Sequence, residues 1–209
     1  MKLETRIVLF LSFTFFTTIS FSQMIEPQHQ AASELICDYL EMQYPDVQVD
    51  RFLYVGVERQ EMYYVVDRKV ERVYDVSTSK HGAGLLSGSN CTPVGMHCVN
   101  GKYGADVPWG GILVGRKFTG KVAEVETEPV STGRDEITSR VITIKGLEDG
   151  VNKGGKFDSY QRRIYIHGTA EEGLIGKPAS HGCIRMRNDD VIELFALVDE
   201  GLPIIILDN

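Results

Sequence analysis

A succession of short apolar runs, each long enough for one β-strand, constrains the fold of this chain more than any other feature. The early runs are rich in Val and Tyr and are separated by polar turns, which is typical of antiparallel strands joined as a meander. Glycines interrupt residues 79–115, where we expect loop with short strands. The fold is therefore predicted to be mostly β, a curved sheet or sandwich. Strands are predicted at 52–57, 62–67, 70–77, 122–127, 140–145, 163–167 and 202–207.

Two segments show helical periodicity instead. Within residues 27–43, apolar positions recur every three or four residues, which predicts a short N-terminal helix inside a helical segment, 23–50. The second helix is predicted to begin at Asn188, which would cap its first turn, and Gly201 ends it. We expect this one helix to pack against the sheet. Its predicted buried stripe consists of Val191, Leu194, Phe195 and Val198.

Residues 1–22 have the layout of a secretory signal peptide. Lys2 and Arg6 precede an uncharged run, 7–21, and small residues suited to cleavage follow near Ser22. An uncleaved membrane anchor is the alternative, but the run is shorter than the roughly 20 apolar residues that a span needs. The prediction is export to the periplasm or cell envelope, with membrane contact only through an uncleaved leader.

Composition limits the partners and the redox state of the chain. The formal net charge is −7 and no dense Lys/Arg cluster is present, so nucleic acid is not an expected partner. An exported protein can keep disulfides. Cys91 and Cys98 could close a small loop and leave Cys37 and Cys183 as thiols, although Cys37 could pair with either because spacing does not determine connectivity.

Two segments carry the residue types of a cysteine enzyme. One is a predicted strand that ends in His167-Gly168, and the other is Ser-His-Gly-Cys-Ile-Arg-Met-Arg-Asn, residues 180–188. Because Gly182 has no side chain, the backbone N–H groups of Gly182 and Cys183 could face one point, as an oxyanion hole requires. The two segments therefore predict nucleophilic attack by a thiol.

A cysteine nucleophile needs help to lose its proton near neutral pH. His167 is the candidate base, Arg185 would add a fixed positive charge, and His181 is a second imidazole nearby. A backbone carbonyl is a candidate for orienting the base, since no Asp or Glu recurs beside both segments. A buried structural thiol is the plainer interpretation of Cys183. A zinc site of His167, His181 and Cys183 is a weaker one, because no CxxC or HxxxH pair accompanies them.

The same residues resemble the signature of the L,D-transpeptidase (YkuD-type) family. The His-Gly pair at 167 is followed 16 positions later by the cysteine of Ser-His-Gly-Cys-Ile-Arg-Met. Upstream, Tyr-Asp-Val-Ser-Thr at 74–78, Thr-Pro-Val-Gly at 92–95 and the stretch from Gly154 to Gly168 support the resemblance. It covers about residues 52–207. The loop 80–90, the cysteines that flank the Thr-Pro-Val-Gly turn and the charged segment 117–134 depart from the pattern.

The resemblance implies a β-rich catalytic domain, residues 51–209, that acts on peptidoglycan stem peptides without a cofactor or metal. Carried over, Cys183 is the nucleophile and His167 the base. Cys183 would form a thioester with the third stem residue, release D-alanine and pass the acyl group to another stem, giving a 3→3 cross-link. A monomer and inhibition by carbapenems are also expected. The residues implied to line the site or its oxyanion hole are Gly168, Ser180, His181, Gly182 and Arg185.

Several other activities use similar residues. The same site with water as acceptor would be an L,D-carboxypeptidase that trims tetrapeptide stems, and a protein acceptor would make it attach that protein to peptidoglycan. A wall-binding domain without turnover would not need an activated thiol. A sortase-like transpeptidase also combines Cys, His and Arg, but the Ser-His-Gly-Cys-Ile-Arg-Met run at 180–186 favours the first family.

Overall fold

The computed structural model describes residues 25–209, and the predicted signal peptide lies outside them. The described chain is mostly β, as predicted, with ten strands in one sheet and two α-helices. The helices are α1 (Pro27–Gln43) and α2 (Asn188–Leu197). The strands are β1 (Arg51–Gly56), β2 (Glu61–Val66), β3 (Lys69–Asp75), β4 (Gly95–Tyr103), β5 (Gly111–Val114), β6 (Lys117–Val122), β7 (Ile137–Gly146), β8 (Tyr165–Thr169), β9 (Ile184–Met186) and β10 (Pro203–Leu207).

The sheet is mixed and branches at β7. Its main path runs β3-β2-β1-β10-β4-β7-β5-β6, and β8 and β9 leave this path from β7. The predicted antiparallel meander is confirmed in β1, β2 and β3. The pairs β1–β10 and β8–β9 are parallel. Among the strands of residues 25–209, β9 pairs with β8 alone, and an isolated bridge joins its Arg185 to Ser77. The branch therefore ends in a short parallel ladder beside the segments predicted to carry chemistry.

Both faces of the sheet are covered, and each helix covers one of them. The predicted stripe of α2 packs Val191 and Leu194 into a core that also contains Ile166 and Ile184. On the other face, Leu40 of α1 belongs to a second core. Full burial of such a side chain contributes about 1.5–3 kcal/mol. The expectation of one packed helix was therefore incomplete, since α1 also belongs to the fold.

Two of the strand predictions were wrong. The strand expected at 122–127 is β6, which ends at Val122, and only an isolated bridge at Glu126 follows. Every residue of β6 is exposed, so no face of this strand needs apolar residues. Its sequence therefore lacks the alternation of apolar and polar residues from which a strand is predicted. The glycine-rich stretch contains β4, a strand of nine residues. Pairing with β10 on one side and β7 on the other stabilises β4 despite the bulge near Gly101.

Asn188 does not cap α2 as predicted. Arg187 occupies the cap position, and the buried Asn188 amide ties the helix to the sheet instead. Its Oδ1 accepts from Thr138 Oγ1 at 2.7 Å, and its Nδ2 donates to the Thr169 carbonyl at 2.9 Å. A side-chain carbon on Gly168 would lie 2.8 Å from this Oδ1. Glycine at 168 is therefore required by close packing against Asn188.

The cysteines do not pair in this structure. All four are free thiols, so the bridge that Cys91 and Cys98 could have formed is absent from the described residues. Cys98 is buried in β4, and Cys37 is buried on the inner face of α1. Cys91 is half-buried in the loop before β4. Within residues 25–209, no helix has the length and apolar character that crossing a membrane requires.

Candidate active site

The parallel pair of β8 and β9 brings the two predicted segments together. His167 lies opposite Arg185 in the register, and Ile166 lies opposite Ile184. The two isoleucines point into the core below α2. Because side chains alternate along a strand, His167 and Arg185 share the other face. Cys183 directly precedes β9, and alternation puts it on that same face, diagonal to His167.

The thiol of Cys183 contacts the backbone that leads into β8. The Tyr165 N–H donates to Cys183 Sγ at 3.4 Å, and the sulfur lies 3.6 Å from the Arg163 carbonyl oxygen. Neither contact involves the His167 ring, so the thiol–imidazole hydrogen bond expected of a nucleophile and its base is not formed here. Such bonds often tighten only when substrate binds.

The His167 ring is buried and oriented by a backbone carbonyl, the kind of partner predicted from the sequence. Its Nδ1 lies 2.7 Å from the Gly168 carbonyl oxygen, an acceptor only, so Nδ1 carries the proton and Nε2 has the free lone pair. Burial lowers the pKa of His167 to about 4. The ring is therefore neutral at pH 7 and able to accept a proton at Nε2.

The Cys183 thiol is also neutral at pH 7. Desolvation raises its pKa to about 11, although the Tyr165 N–H acts in the opposite direction. The resting pair is a thiol and a neutral imidazole, and not the preformed thiolate that a strongly positive environment would give. Proton transfer would therefore have to accompany attack.

A network of hydrogen bonds holds the turn before Cys183. Ser180 Oγ donates to the Cys183 carbonyl at 2.6 Å and accepts from the Gly182 N–H at 3.1 Å. Gly182 has φ +118°, a conformation that favours glycine. Since its N–H is bonded to Ser180, the predicted pair of free amides is not present, and Ser180 acts as a brace for the turn.

The Thr-Pro-Val-Gly segment, residues 92–95, is hydrogen-bonded to this turn through Thr92. The buried Thr92 donates through Oγ1 to the Gly182 carbonyl at 3.1 Å and accepts from the Ser79 N–H at 3.0 Å. Thr92 thus joins the turn at Gly182 to the chain that follows β3. The resemblance included this segment, and its contact with the cysteine turn explains why the two occur together.

Arg185 is not the free positive charge that the sequence predicted. Its side chain is only 2% exposed and is paired with two carboxylates. Glu171 Oε2 lies 3.1 Å from one terminal nitrogen, and Asp135 binds the other. His181 Nδ1 lies 2.7 Å from Asp135 as well. Burial alone would raise the pKa of Asp135, but Arg185 and His181 together lower it. The guanidinium charge is therefore largely compensated.

Glu171 anchors the loop that carries Asp135. Its Oε1 accepts from Thr132 Oγ1 at 2.9 Å and from Ser131 Oγ at 3.1 Å. Although burial raises its pKa, these bonds and Arg185 hold the pKa of Glu171 below its usual range. The segment 117–134 could not be placed from the sequence, and Glu171 fixes its end against β9.

Zinc would need His167, His181 and Cys183 to converge. Their polar atoms turn instead to the Gly168 carbonyl, to Asp135 and to the backbone before β8. Residues 25–209 contain no cluster of three metal-binding side chains. This arrangement does not fit a zinc site.

The sequence of this chain matches one known protein family over most of its length. A sequence model described as the L,D-transpeptidase catalytic domain (YkuD) matches residues 50–206. The chain belongs to the L,D-transpeptidase family. The sortase-like alternative is thereby set aside, and the resemblance of the cysteine segment is confirmed over most of the chain.

One relative supports the same family, and two further known proteins are similar to the chain. YqjB of Bacillus subtilis (strain 168), provisionally named an L,D-transpeptidase, is 32% identical over 161 residues, covering 77% of this chain and 73% of YqjB. YkuD of the same organism is 45% identical over 60 residues, 26% of this chain and 37% of YkuD. The structure of L,D-transpeptidase 3 from Mycobacterium tuberculosis with a faropenem-derived adduct matches with a TM-score of 0.48 and 16% identity, covering 76% of this chain and 60% of that one.

A cavity of about 290 Å³ opens beside the cysteine turn of this L,D-transpeptidase. One wall is the loop held by Glu171, and the other includes Pro178 and His181. Lys80 lies at its edge and has no ion-pair partner among residues 25–209. His181 and Arg185, which flank Cys183 in the sequence, line this cavity, whereas Cys183 and His167 do not.

The structure brings all seven predicted site residues into one region, but it also adds three that the sequence did not suggest. Asp135, Glu171 and Arg162 lie in polar stretches that resemble ordinary surface, so no local pattern distinguishes them. Only their contacts with Arg185 or with the loop beside Cys183 reveal them.

Proposed function

We propose that this L,D-transpeptidase forms 3→3 cross-links between peptidoglycan stem peptides through a thioester on Cys183. The observation that carries the proposal is a thiol and a neutral, carbonyl-oriented imidazole on one face of the β8–β9 ladder, beside an open cavity. Family membership supports a transpeptidase. The identity of the donor and acceptor rests on the chemistry of the family.

In the first half-reaction, Cys183 Sγ attacks the carbonyl at the L-centre of the third stem residue while His167 Nε2 takes the thiol proton. We assign the Cys183 N–H as the backbone donor for the oxyanion. Collapse of the tetrahedral intermediate breaks the bond to the terminal D-alanine, whose amine receives the proton from His167. General base catalysis of this kind contributes about 10²–10⁴-fold to the rate.

In the second half-reaction, the side-chain amine of another stem attacks the thioester. His167 Nε2 removes a proton from that amine, and the departing sulfur then recovers a proton from His167. The amide bond of the cross-link forms as the carbon–sulfur bond breaks, so no ATP is consumed. If water reaches the thioester first, the same steps release a tripeptide, which is the carboxypeptidase alternative.

The test is incubation of the mature protein with tetrapeptide muropeptides, followed by mass spectrometry. Cross-linked dimers are the expected product, and tripeptide monomers alone would favour trimming. Cys183→Ala should form neither, whereas the neighbouring Cys91→Ala should retain both activities. Dimers made by Cys183→Ala would overturn the proposal.

A carbapenem distinguishes an enzyme from a silent wall-binding domain. We expect a covalent adduct on the peptide that contains Cys183, because the opened β-lactam ring would acylate the sulfur. Folded protein that forms no adduct and no product would support the binding domain. A protein acceptor is tested by adding muropeptides to an envelope extract and searching for peptides that carry a stem.

Export by residues 1–22 completes the proposal, since the substrate lies outside the cytoplasm. The first residue of the protein recovered from the envelope would be determined by mass spectrometry. A new N-terminus near Ser22 is expected. An N-terminus at Met1 in a cytoplasmic fraction would contradict export.

A further inference from the structure

We infer that Arg162 is a positioning residue for Cys183 whose guanidinium stabilises negative charge on the sulfur and also holds the 84–91 loop beside it. This inference rests on the proposed role of Cys183 as the nucleophile. It assigns to Arg162 the electrostatic part that the sequence had assigned to Arg185.

The contacts of Arg162 are all with backbone carbonyls of one loop. One terminal nitrogen donates to the Gly84 carbonyl at 3.1 Å and to the Leu85 carbonyl at 2.9 Å. The other donates to the Cys91 carbonyl at 2.6 Å. Carbonyls satisfy the N–H groups without cancelling the charge. No carboxylate pairs with Arg162 within residues 25–209.

These contacts place the guanidinium next to the cysteine turn. The Cys91 carbonyl that Arg162 binds would lie 3.1 Å from a side-chain carbon on Gly182. Arg162 also directly precedes Arg163, whose carbonyl oxygen lies 3.6 Å from Cys183 Sγ. Burial lowers the pKa of Arg162, and its electrostatic attraction to the Cys91 and Cys183 sulfurs acts in the opposite direction.

The other groups that face Cys183 do not supply this charge. Tyr165 and His167 on β8 are neutral at pH 7, because burial raises the pKa of the phenol and lowers that of the imidazole. Arg185 on β9 and Asp135 from the adjoining loop act on the sulfur with opposite signs and are paired with each other. Their effects on Cys183 therefore oppose each other, and Arg162 is the further charged group that favours the thiolate.

The same contacts make the 84–91 loop part of the surroundings of Cys183. This loop overlaps the segment 80–90, which departs from the family pattern, and Arg162 donates hydrogen bonds to both of its ends. A movement of the loop would carry the guanidinium with it and change the electrostatic environment of the sulfur. The position of the loop and the reactivity of Cys183 are thus coupled through one side chain.

The test follows alkylation of Cys183 by iodoacetamide between pH 6 and pH 11, with the labelled peptide quantified by mass spectrometry. Because the wild-type pKa lies at about 11, at the top of this range, the readout is the alkylation rate at each lower pH. In Arg162→Gln we expect this rate to fall as an upward shift of about half to one pKa unit requires. Labelling at pH 8 would then be roughly three- to tenfold slower. The matched control is Arg163→Gln, which removes a charge from the adjacent, exposed side chain and should leave the profile of Cys183 unchanged.

Arg162→Lys separates charge from loop bonding. Lysine keeps the positive charge but loses the planar fork, so the alkylation profile should stay near that of the wild type while the melting temperature falls. This variant also tests the inference if Arg162→Gln does not fold. An unchanged profile in folded Arg162→Gln, or a profile shifted by a full pKa unit in Arg162→Lys, would overturn it.

Alkylation needs no muropeptide, so the two proposals fail in different ways. A shifted profile without cross-linking would reject the proposed function and retain the role of Arg162. Cross-linking with an unshifted profile would do the opposite.

Discussion

Residues 25–209 contain two pairs of a buried histidine and a nearby cysteine, and only one of them is arranged for chemistry. His167 and Cys183 lie on adjacent strands, while His97 and Cys98 are neighbours in β4. Burial lowers the pKa of both histidines to about 4 and raises the pKa of both thiols. Buried histidines and shifted pKa values are therefore common to both pairs.

The two pairs differ in the hydrogen bonds of their ring nitrogens and in the faces of the sheet on which their side chains lie. His97 uses both ring nitrogens, since Nδ1 lies 2.9 Å from the Gly95 carbonyl oxygen and Nε2 lies 2.9 Å from Ser159 Oγ. Cys98 is the next residue in the strand and so faces the opposite side of the sheet. His167 keeps Nε2 without a partner among residues 25–209. Cys183 is also partly exposed, whereas Cys98 is buried. The comparison teaches that placement on one face and an accessible sulfur, and not shifted pKa values, distinguish a site from a core.

The largest expected effect comes from removing each thiol. Cys183→Ala should lower cross-linking by at least about 10³-fold, because the covalent route is lost. Cys98→Ala should keep the rate per folded molecule. Muropeptide dimers, quantified by mass spectrometry, measure both variants. If Cys98→Ala were as stable as Cys183→Ala and equally inactive in cross-linking, the two pairs would not differ in function as stated.

The second largest difference is expected between substitutions of the two histidines. His167→Gln removes the base and is expected to lower turnover by about 10²–10⁴-fold. His97→Gln should instead lower the free energy of unfolding by about 1–3 kcal/mol, because buried hydrogen bonds are disturbed. Initial rates and urea unfolding of the two variants provide the comparison. Loss of stability without loss of rate in His167→Gln would contradict the assignment.

The stability of the protein should depend on both histidines at acid pH. Each is neutral in the folded state down to pH about 4 and takes up a proton on unfolding below about pH 6.5. Their contribution is thus present above pH 6.5 and is lost as the pH falls through 6.5 to about 4, by about 2–3 kcal/mol for each group.

Urea unfolding at pH 7 and at pH 4.5 measures this dependence. Burial raises the pKa of Asp190 to about 7, so this carboxyl takes up a proton in the folded state over the same range and partly offsets the decrease. His97→Gln and His167→Gln should each make the decrease smaller by a similar amount. A decrease that neither variant reduces would show that other groups cause it.

The smallest effects are expected from two serines that brace the pairs. Ser159→Ala leaves His97 Nε2 without its partner, and Ser180→Ala removes two hydrogen bonds from the turn before Cys183. Each should cost about 1–2 kcal/mol of stability. Only Ser180→Ala should also lower the cross-linking rate, because the turn positions the nucleophile. Equal rates in both variants would show that the turn keeps its geometry without the serine.

Local patterns predicted much of the fold. The bounds of α1 match the predicted 27–43, and the early meander and the strand ending near His167 are present. These features depend on neighbours within a few residues, so periodicity reveals them. The exposed β6 and the long β4 were not predicted correctly, because they depend on pairing with strands that are distant in the sequence.

In the site, too, local motifs were predicted from the sequence, whereas contacts between distant residues were not. Glycine at 182 and the Cys183 and His167 segments are visible as motifs, and a carbonyl partner for the imidazole was among the expectations. Asn188 and Arg185 were recognised as residues, but their contacts were not. Asn188 binds β7 and β8 where a helix cap was expected, and two acids from elsewhere compensate Arg185.

The sequence by itself determined the family, the reactive residue types and most of the helices and strands, because these are written in short motifs and local periodicity. The tertiary structure decided the electrostatics of the site. Charge at a sulfur depends on every group within several ångströms, and the chain brings those groups from three separate segments. Which arginine is compensated and which is free is therefore settled only when the sheet has assembled.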